Sequence, residues 1–199
     1  MTDTLLAPDD IAQAVALLPS NPREGNARLN AIFRAGTVPG ASLHGRTTGG
    51  LAATSLGGPF DALVGFIVRA YMPWQGKTFD AAAASGDNIF THDSRKLGRI
   101  FTPFYRDYIP DTAKTYRAFR FKTYAGPGLE DPDRQVLKID YNLPVNPALT
   151  VRRIVDELVQ VDERFYLGKA HVRWWWGAWQ RVAFFTLTSR GEAARKGVG

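Results

Sequence analysis

The sequence predicts a mainly β protein with N-terminal helices, in which an antiparallel sheet closes into a barrel. From residue 114 onward, segments rich in β-branched and aromatic residues follow one another and are separated by short turns. Most of the 5 Trp, 7 Tyr and 12 Phe residues lie in this half of the chain. Closing such a meander into a barrel removes its unpaired edge strands. The length of 199 residues suits one such core.

Two short helices are predicted in the first 35 residues. Pro8, Asp9 and Asp10 precede the apolar segment IAQAVALL, and Pro19 ends it, which is typical of a helix with acidic residues at its N-terminus. Residues 27–35 form the second predicted helix, after a polar loop. Residues 1–35 are therefore predicted to be a helical extension of the barrel.

The next segment has frequent glycines and is followed by the most regular helical pattern in the chain. Between residues 36 and 58, the glycines separate runs such as ASLHGRT and LAATSL, which indicates brief strands joined by tight turns. Pro59 then opens a helix whose apolar residues recur at three- and four-residue spacing as far as Tyr71. This helix is expected to pack on the barrel or cap it.

Six further strands are predicted from residue 72 onward. They cover 72–79, 115–124, 135–143, 151–161, 164–174 and 180–188. In the second of these, the alternation of aromatic residues breaks once, which indicates a β-bulge near Ala118. In the third, Leu137, Ile139 and Tyr141 share one face. The predicted barrel domain covers 36–190, and residues 191–199 are predicted to be a flexible basic tail.

Composition excludes several classes of function. The chain has no cysteine, so disulfides, thiolate metal sites and a cysteine nucleophile are excluded. The net charge of +6 lies mostly in the last quarter of the chain, where basic residues alternate with acidic ones. A solvated basic rim is therefore favoured over nucleic acid binding. The acidic N-terminus and the shortness of the apolar runs predict no signal peptide, no membrane span and a cytoplasmic location.

The order of several motifs resembles a bacterial protein family. The segments LHGRTTGG, GGPFDALVGFIVRAY, WQGKTF, VLKIDYNLPVNP and RVAFFTLTSR follow one another as in lipocalin-like proteins named for an N-terminal GxWxG motif, which carry a C-terminal domain of unknown function. Arg46 and Thr47 stand in the stretch where that motif has its tryptophan. The resemblance implies a lipocalin-like (calycin) β-barrel, and it transfers no catalytic residues.

Two functions follow from an aromatic-rich barrel. One is the binding of an apolar or aromatic small molecule in the barrel cavity, although the same side chains also suit a filled core. The alternative is a cofactor-independent lyase, isomerase or cyclase acting on such a ligand. The chain lacks the G-x-S-x-G, P-loop and Rossmann patterns, so hydrolase, kinase and dehydrogenase functions have no support. No cofactor is predicted, and a homodimer is left open.

Catalytic candidates are the titratable residues of the predicted strands. On the strand 164–174, Lys169 and His171 share one face with Phe165, and the sequence leaves open whether that face points into the barrel or to solvent. The predicted acid–base set is His171, Lys169, Asp140 and His44, with Tyr141 as a further partner. No metal site is predicted, because the three histidines lack metal-ligand spacing.

Ligand-binding candidates include one motif and several dispersed residues. Trp74 and Lys77 of WQGKTF are expected at an end of the barrel, with Lys77 or Arg46 over the indole ring as a cation–π contact. The strand 151–161 carries charge on both faces, including Asp156 and Glu157, so some of its charges must be paired or line a polar cavity. The full predicted set is Trp74, Lys77, Arg46, Tyr141, Tyr124, Phe165 and Arg153.

Overall fold

The chain begins with two helices that pack against each other. The computed structural model describes residues 8–40, 43–53, 74–92 and 105–189. Helix α1 covers Pro8–Leu17 and helix α2 covers Pro22–Ala35. The predicted start of α2 at residue 27 was wrong, because the Asn21 side chain accepts a hydrogen bond from the Glu24 N–H (3.2 Å) and Pro22 fixes the first turn.

Nine strands follow in the described part of the chain, and all their pairings are antiparallel. They are β1 (Gly45–Ala53), β2 (Trp74–Asp80), β3 (Ser85–Thr91), β4 (Ile109–Pro110), β5 (Thr115–Pro127), β6 (Gln135–Asp140), β7 (Ile154–Asp162), β8 (Phe165–Arg173) and β9 (Trp179–Ser189). The sheet order is β3-β2-β1-β9-β8-β7-β6-β5, and β3 also pairs with β5. Eight strands therefore form a closed barrel, which confirms the predicted fold class. The two-residue strand β4 adds to β5 outside this ring.

The glycine-rich segment differs from its prediction. Instead of several brief strands, its described part contains the single nine-residue strand β1. The helix predicted from Pro59 to Tyr71 and the tail 191–199 lie outside the described residues. Neither α1 nor α2 is long and apolar enough to span a membrane.

Of the five register shifts between paired strands, two bulges affect which side chains of β2 and β5 enter the barrel. Gly86 pairs with Phe121 but Asn88 pairs with Ala118, so β5 carries one extra residue, as predicted, and Phe119 there has φ of 56°. The second bulge lies in β2 at Gly76, whose φ is 139°. A Cβ at Gly76 would lie 2.2 Å from the Thr47 carbonyl oxygen, so only glycine fits this position.

The apolar core is divided between the inside of the barrel and its outer, helix-covered side. Inside lie aromatic and aliphatic residues from strands all round the barrel, including Phe79, Phe90, Phe121, Ile139, Leu158, Tyr166, Phe185 and Leu187. Outside, α1 and α2 cover residues of β6 to β9, including Val136, Val159, Leu167 and Phe184. Strands β6 to β9 are therefore buried on both faces where the helices cover them.

The interior of the barrel is closely filled at Gly168, which packs against the Phe185 ring. A Cβ there would lie 2.2 Å from the Phe185 ring, whereas a Cβ at Gly126 would meet nothing closer than 3.7 Å. We expect Gly168→Ala to lower the free energy of unfolding by about 1–3 kcal/mol through overpacking. Gly126→Ala should be neutral or slightly stabilising, since alanine loses less backbone entropy on folding. Thermal unfolding followed by circular dichroism compares the two, and equal melting temperatures would contradict this account.

Candidate functional site

A cavity of about 340 Å³ lies inside the barrel and reaches one of its ends. We call this the open end; within the described part of the chain, it comprises residues 141–153, residues 174–178 and the last residues of β1. The strand registers place these segments together, because β1 and β8 end here while β7 and β9 begin here. Most of the described lining is apolar and includes Leu51, Val151, Ile154, Ala170, Val172, Val182, Ala183 and Phe185.

One group of polar side chains lies within this apolar lining. We call it the polar cluster; it consists of Trp74, Lys77, Asn88, Tyr141 and Asp156. In a regular strand, Trp74 and Lys77 would point to opposite faces, since they are three residues apart. The Gly76 bulge lets both point inward. The cluster therefore depends on the glycine at the centre of WQGKTF.

Lys77 is the centre of the hydrogen bonding in the polar cluster. Its Nζ donates to Asp156 Oδ2 (2.9 Å), to Asn88 Oδ1 (2.8 Å) and to the Tyr141 hydroxyl. The Tyr141 hydroxyl in turn donates to Asp156 Oδ2 at 3.1 Å. All three donors of the ammonium group are thus used within the protein. The ammonium, the phenol and the carboxylate are in mutual contact.

Four aromatic rings surround the ammonium group of Lys77. The distances from Nζ to the ring centroids of Trp74, Phe121, Tyr141 and Phe185 are 5.3, 5.5, 5.2 and 5.4 Å. Rings at this distance stabilise a cation through their negative faces. Lys77 and Arg46 were the two cations predicted to lie over the Trp74 ring, and Lys77 is the one found there. Arg46 instead forms an ion pair with Asp111, with Nη1 2.6 Å from Oδ2.

Burial sets the protonation behaviour of the polar cluster. It lowers the pKa of Lys77, and the charge and hydrogen bond of Asp156 act in the opposite direction. Lys77 is 3% exposed and Asp156 is 5% exposed, so water screens this pair poorly. A lysine that gives up its proton more readily than usual, beside a phenol and a carboxylate, is suited to proton transfer.

The structure corrects the position of the predicted acid–base residues Lys169 and His171. Their face of β8 points away from the cavity, yet both are 0% exposed, because α2 and the β5–β6 loop (residues 128–134) cover it. Lys169 Nζ lies 2.6 Å from Asp131 Oδ2 and 3.1 Å from Glu130 Oε2. Lys169, which also donates to Asn30 Oδ1 of α2, therefore ties the loop and the helix to the barrel. Neither Lys169 nor His171 is among the described residues that line the cavity.

The other predicted catalytic residues also lie apart from the cavity. Asp140 points outward, and its Oδ1 accepts a hydrogen bond from the Asn142 N–H at 2.8 Å. His44 is exposed at the opposite end of the barrel, where its Nδ1 accepts a hydrogen bond from the Ala81 N–H at 3.3 Å. The four predicted acid–base residues therefore do not converge. Among the described residues, no three His, Asp or Glu side chains form a group that would hold a metal ion.

Only part of the predicted ligand-binding set comes together. Trp74, Lys77 and Tyr141 meet in the polar cluster. Tyr124 is 46% exposed on the outside, and Phe165 packs against the helix-covered core. Arg153 lies at the open end, where its Nη1 donates to the Arg173 carbonyl oxygen at 3.2 Å, and it is not among the cavity-lining residues.

Sequence reasoning missed Asn88 and gave Asp156 no specific role. Asn88 lies in an aromatic-rich segment without a clear period. The position of Asp156, in contrast, could have been predicted, because in a strand it lies on the same face as the apolar residues Ile154 and Leu158. The second charged residue, Glu157, points outward and is bonded to Lys138. Asp156 and Glu157 are thus both paired, with lysines of other strands.

Comparisons with known proteins identify the fold and no family. No protein-family model matches the chain, and no curated protein matches it. A crystal structure of a protein from Thermomonospora curvata is similar, with a TM-score of 0.51 and 14% sequence identity over 92% of this chain and 99% of the other. At this identity the similarity shows the fold alone.

Proposed function

We propose that the protein binds a compact apolar or aromatic molecule carrying an oxygen-bearing group that meets the polar cluster. The observation behind this proposal is a buried polar cluster in a cavity whose other described lining residues are mostly apolar and which reaches the open end. Such a combination is typical of small-molecule sites, in which apolar walls supply affinity and a few polar groups fix orientation. Because WQGKTF contributes Trp74 and Lys77, the proposal includes a relationship to the lipocalin-like proteins of the GxWxG type.

The volume of the cavity narrows the ligand class. About 340 Å³ is near the lower limit of the range for ligand pockets. A compact terpenoid, phenolic or small polyketide therefore fits better than a long acyl chain. Its carbonyl or hydroxyl oxygen would meet the Lys77 ammonium and the Tyr141 hydroxyl, while the rest of the molecule contacts the side chains of Val172, Val182 and Phe185.

Filling the cavity tests the binding proposal. The probe is 1-aminoanthracene, a compact aromatic molecule whose emission rises in apolar surroundings. Ala170 lines the cavity, so Ala170→Phe is expected to weaken probe binding at least tenfold. The matched control is Ala82→Phe in the exposed β2–β3 turn, which should bind as the native protein does. If the native protein does not bind the probe or any member of a terpenoid and phenolic library by native mass spectrometry, the proposal fails.

The contact between Lys77, Tyr141 and Asp156 favours a second candidate, acid–base catalysis on the bound molecule. A base in the cluster would take a proton from the carbon next to a ligand carbonyl, and a proton would return to that carbon or to another position. The probe reaction is hydrogen–deuterium exchange of 2-tetralone in D₂O, followed by proton NMR. In this reaction one C–H bond breaks and one C–D bond forms.

We expect the native protein to accelerate this exchange and Tyr141→Phe to slow it about 100-fold or more, the effect typical of losing a general acid or base. Because phenylalanine keeps the ring, binding of 1-aminoanthracene should change little in this variant. Equal exchange rates in the native protein and Tyr141→Phe would leave binding as the only function of the cavity.

A further inference from the structure

The exposed hydrophobic side chains are concentrated at the open end of the barrel. Among the described residues, the large hydrophobic side chains with high exposure, except Tyr124, all belong to this end or border it: Leu51, Val145, Leu149, Trp175, Trp176 and Trp179. Leu149 is 83% exposed and Trp175 is 76% exposed. Scattered exposed apolar residues are ordinary, but their concentration on one surface marks an interaction site.

The tryptophan turn between β8 and β9 is held in a defined conformation. Trp174 is buried, and its Nε1 donates to Gln180 Oε1 at 2.8 Å. Its ring stacks on that of Trp176 with centroids 5.1 Å apart. Gly177, with φ of 95°, closes the turn. The ring of Trp175 therefore projects from a fixed base rather than from a loose loop.

The described segments of the open end carry positive charge. Residues 141–153 and 174–178 contain Arg152 and Arg153 and no acidic residue, and Arg173 ends β8 beside them. Arg152 Nε donates to Asn142 Oδ1 at 3.0 Å, and Arg153 bonds to the Arg173 carbonyl oxygen. No carboxylate oxygen within the described ranges lies within 4.0 Å of the side-chain nitrogens of these arginines.

We propose that the open end docks on a membrane surface containing anionic lipids. Tryptophan is the side chain best suited to the boundary between headgroups and acyl chains, and arginine is attracted to anionic headgroups. The aliphatic residues Leu51, Val145 and Leu149 favour a lipid surface over a nucleic acid, because they offer no stacking surface for bases. Three arginines are also few for a polyanion, whose binding depends on many phosphate contacts.

Docking in this orientation has a consequence for the cavity, and this step rests on the proposed function. The cavity reaches the open end, so its mouth would face the lipid. An apolar ligand would then pass between membrane and barrel without crossing water. The docking itself requires no ligand, so it is tested separately from ligand binding.

The experiment measures binding of the full chain to vesicles by co-sedimentation. Two compositions are compared, phosphatidylcholine alone and phosphatidylcholine mixed with phosphatidylserine. We expect binding to the mixed vesicles and much weaker binding to the neutral ones. Each arginine near an anionic surface contributes about fivefold in affinity, so Arg152→Gln and Arg173→Gln together should weaken binding about 25-fold. High salt should have a similar effect.

The tryptophan contribution is tested with a matched pair of variants. Trp175→Ser with Trp176→Ser should weaken vesicle binding at least tenfold, whereas Tyr124→Ser, at the exposed aromatic residue elsewhere on the barrel, should leave it unchanged. Circular dichroism confirms that each variant is folded. Unaltered binding of the double tryptophan variant, equal binding to both vesicle types, or binding to single-stranded RNA but to neither vesicle would overturn the proposal. If the native protein bound 1-aminoanthracene but neither vesicle type, the docking proposal alone would be overturned.

Discussion

Lys77→Met is expected to lower the free energy of unfolding by about 3–5 kcal/mol, the cost of leaving a buried carboxylate without its partner. Methionine is close to lysine in shape but has no charge and no N–H donor. The substitution removes the 2.9 Å contact with Asp156 and the hydrogen bond to Asn88 Oδ1. Asp156 then keeps its hydrogen bond from Tyr141 but has no cation to balance its charge.

A second substitution separates the uncompensated charge from the loss of packing. Combining Lys77→Met with Asp156→Asn removes both charges while keeping an oxygen that accepts from the Tyr141 hydroxyl. We expect this double variant to recover more than half of the lost stability, because a neutral pair has no buried charge to compensate. Urea unfolding followed by circular dichroism measures all the variants.

Lys122→Met is the control for this series. Lys122 also pairs with an aspartate, its Nζ lying 3.4 Å from Asp140 Oδ2, but its side chain is half exposed. Exposed pairs contribute at most about 1 kcal/mol. If Lys77→Met lowered the free energy of unfolding no more than Lys122→Met does, the polar cluster would not depend on its buried ion pair. The proton-transfer proposal would then lose its basis.

Some features of the barrel were predictable because their signals are local. Leu137, Ile139 and Tyr141 alternate with polar residues, and this period of two placed them inside the barrel. The interrupted aromatic pattern near Ala118 reflects an extra residue in one strand. Both depend on a few neighbouring residues, which a sequence shows directly.

The polar cluster was only partly predictable, because its partners are distant in the chain. Lys77 and Asp156 are 79 residues apart, and closure of the barrel brings them together. The motif WQGKTF indicated Trp74 and Lys77, and the two-sided charge of β7 indicated that some of its charges are paired or line a polar cavity. Which lysine pairs with which carboxylate depends on strand register across the whole barrel, and no local pattern contains that information.

The interpretation of β8 failed for a different reason. A strand with polar residues on one face was expected to send that face either into a cavity or to solvent. In this barrel the outer face of β8 lies under α2 and the β5–β6 loop, so both faces are buried. The alternation of polar and apolar residues along such a strand does not predict which face is exposed. Lys169 and His171 are therefore buried although they lie outside the cavity.

His171 is a fully buried histidine, and its burial makes the stability of the fold depend on pH. Neither ring nitrogen makes a hydrogen bond of normal geometry, although a weak interaction with the Val155 backbone slightly favours protonation. Burial lowers the pKa of His171 from 6.5 to about 3, and the positive charges of Lys169, Lys138 and Arg181 add to this effect. The folded protein therefore holds this histidine neutral throughout the mildly acidic range.

The consequence is a loss of stability in mild acid, because below about pH 6.5 the unfolded chain binds a proton at His171 and the folded chain does not. The free energy of unfolding should fall by about 2 kcal/mol between pH 6.5 and 4.5, with a slope that approaches about 1.4 kcal/mol per pH unit at the acidic end of this range. His171→Leu removes this dependence, so its urea midpoint should stay nearly constant where that of the native protein declines. His44→Leu, at the exposed histidine, should decline as the native protein does. Parallel pH profiles for the native protein and His171→Leu would mean that the histidine is protonated in the fold, which its burial beside three cations opposes.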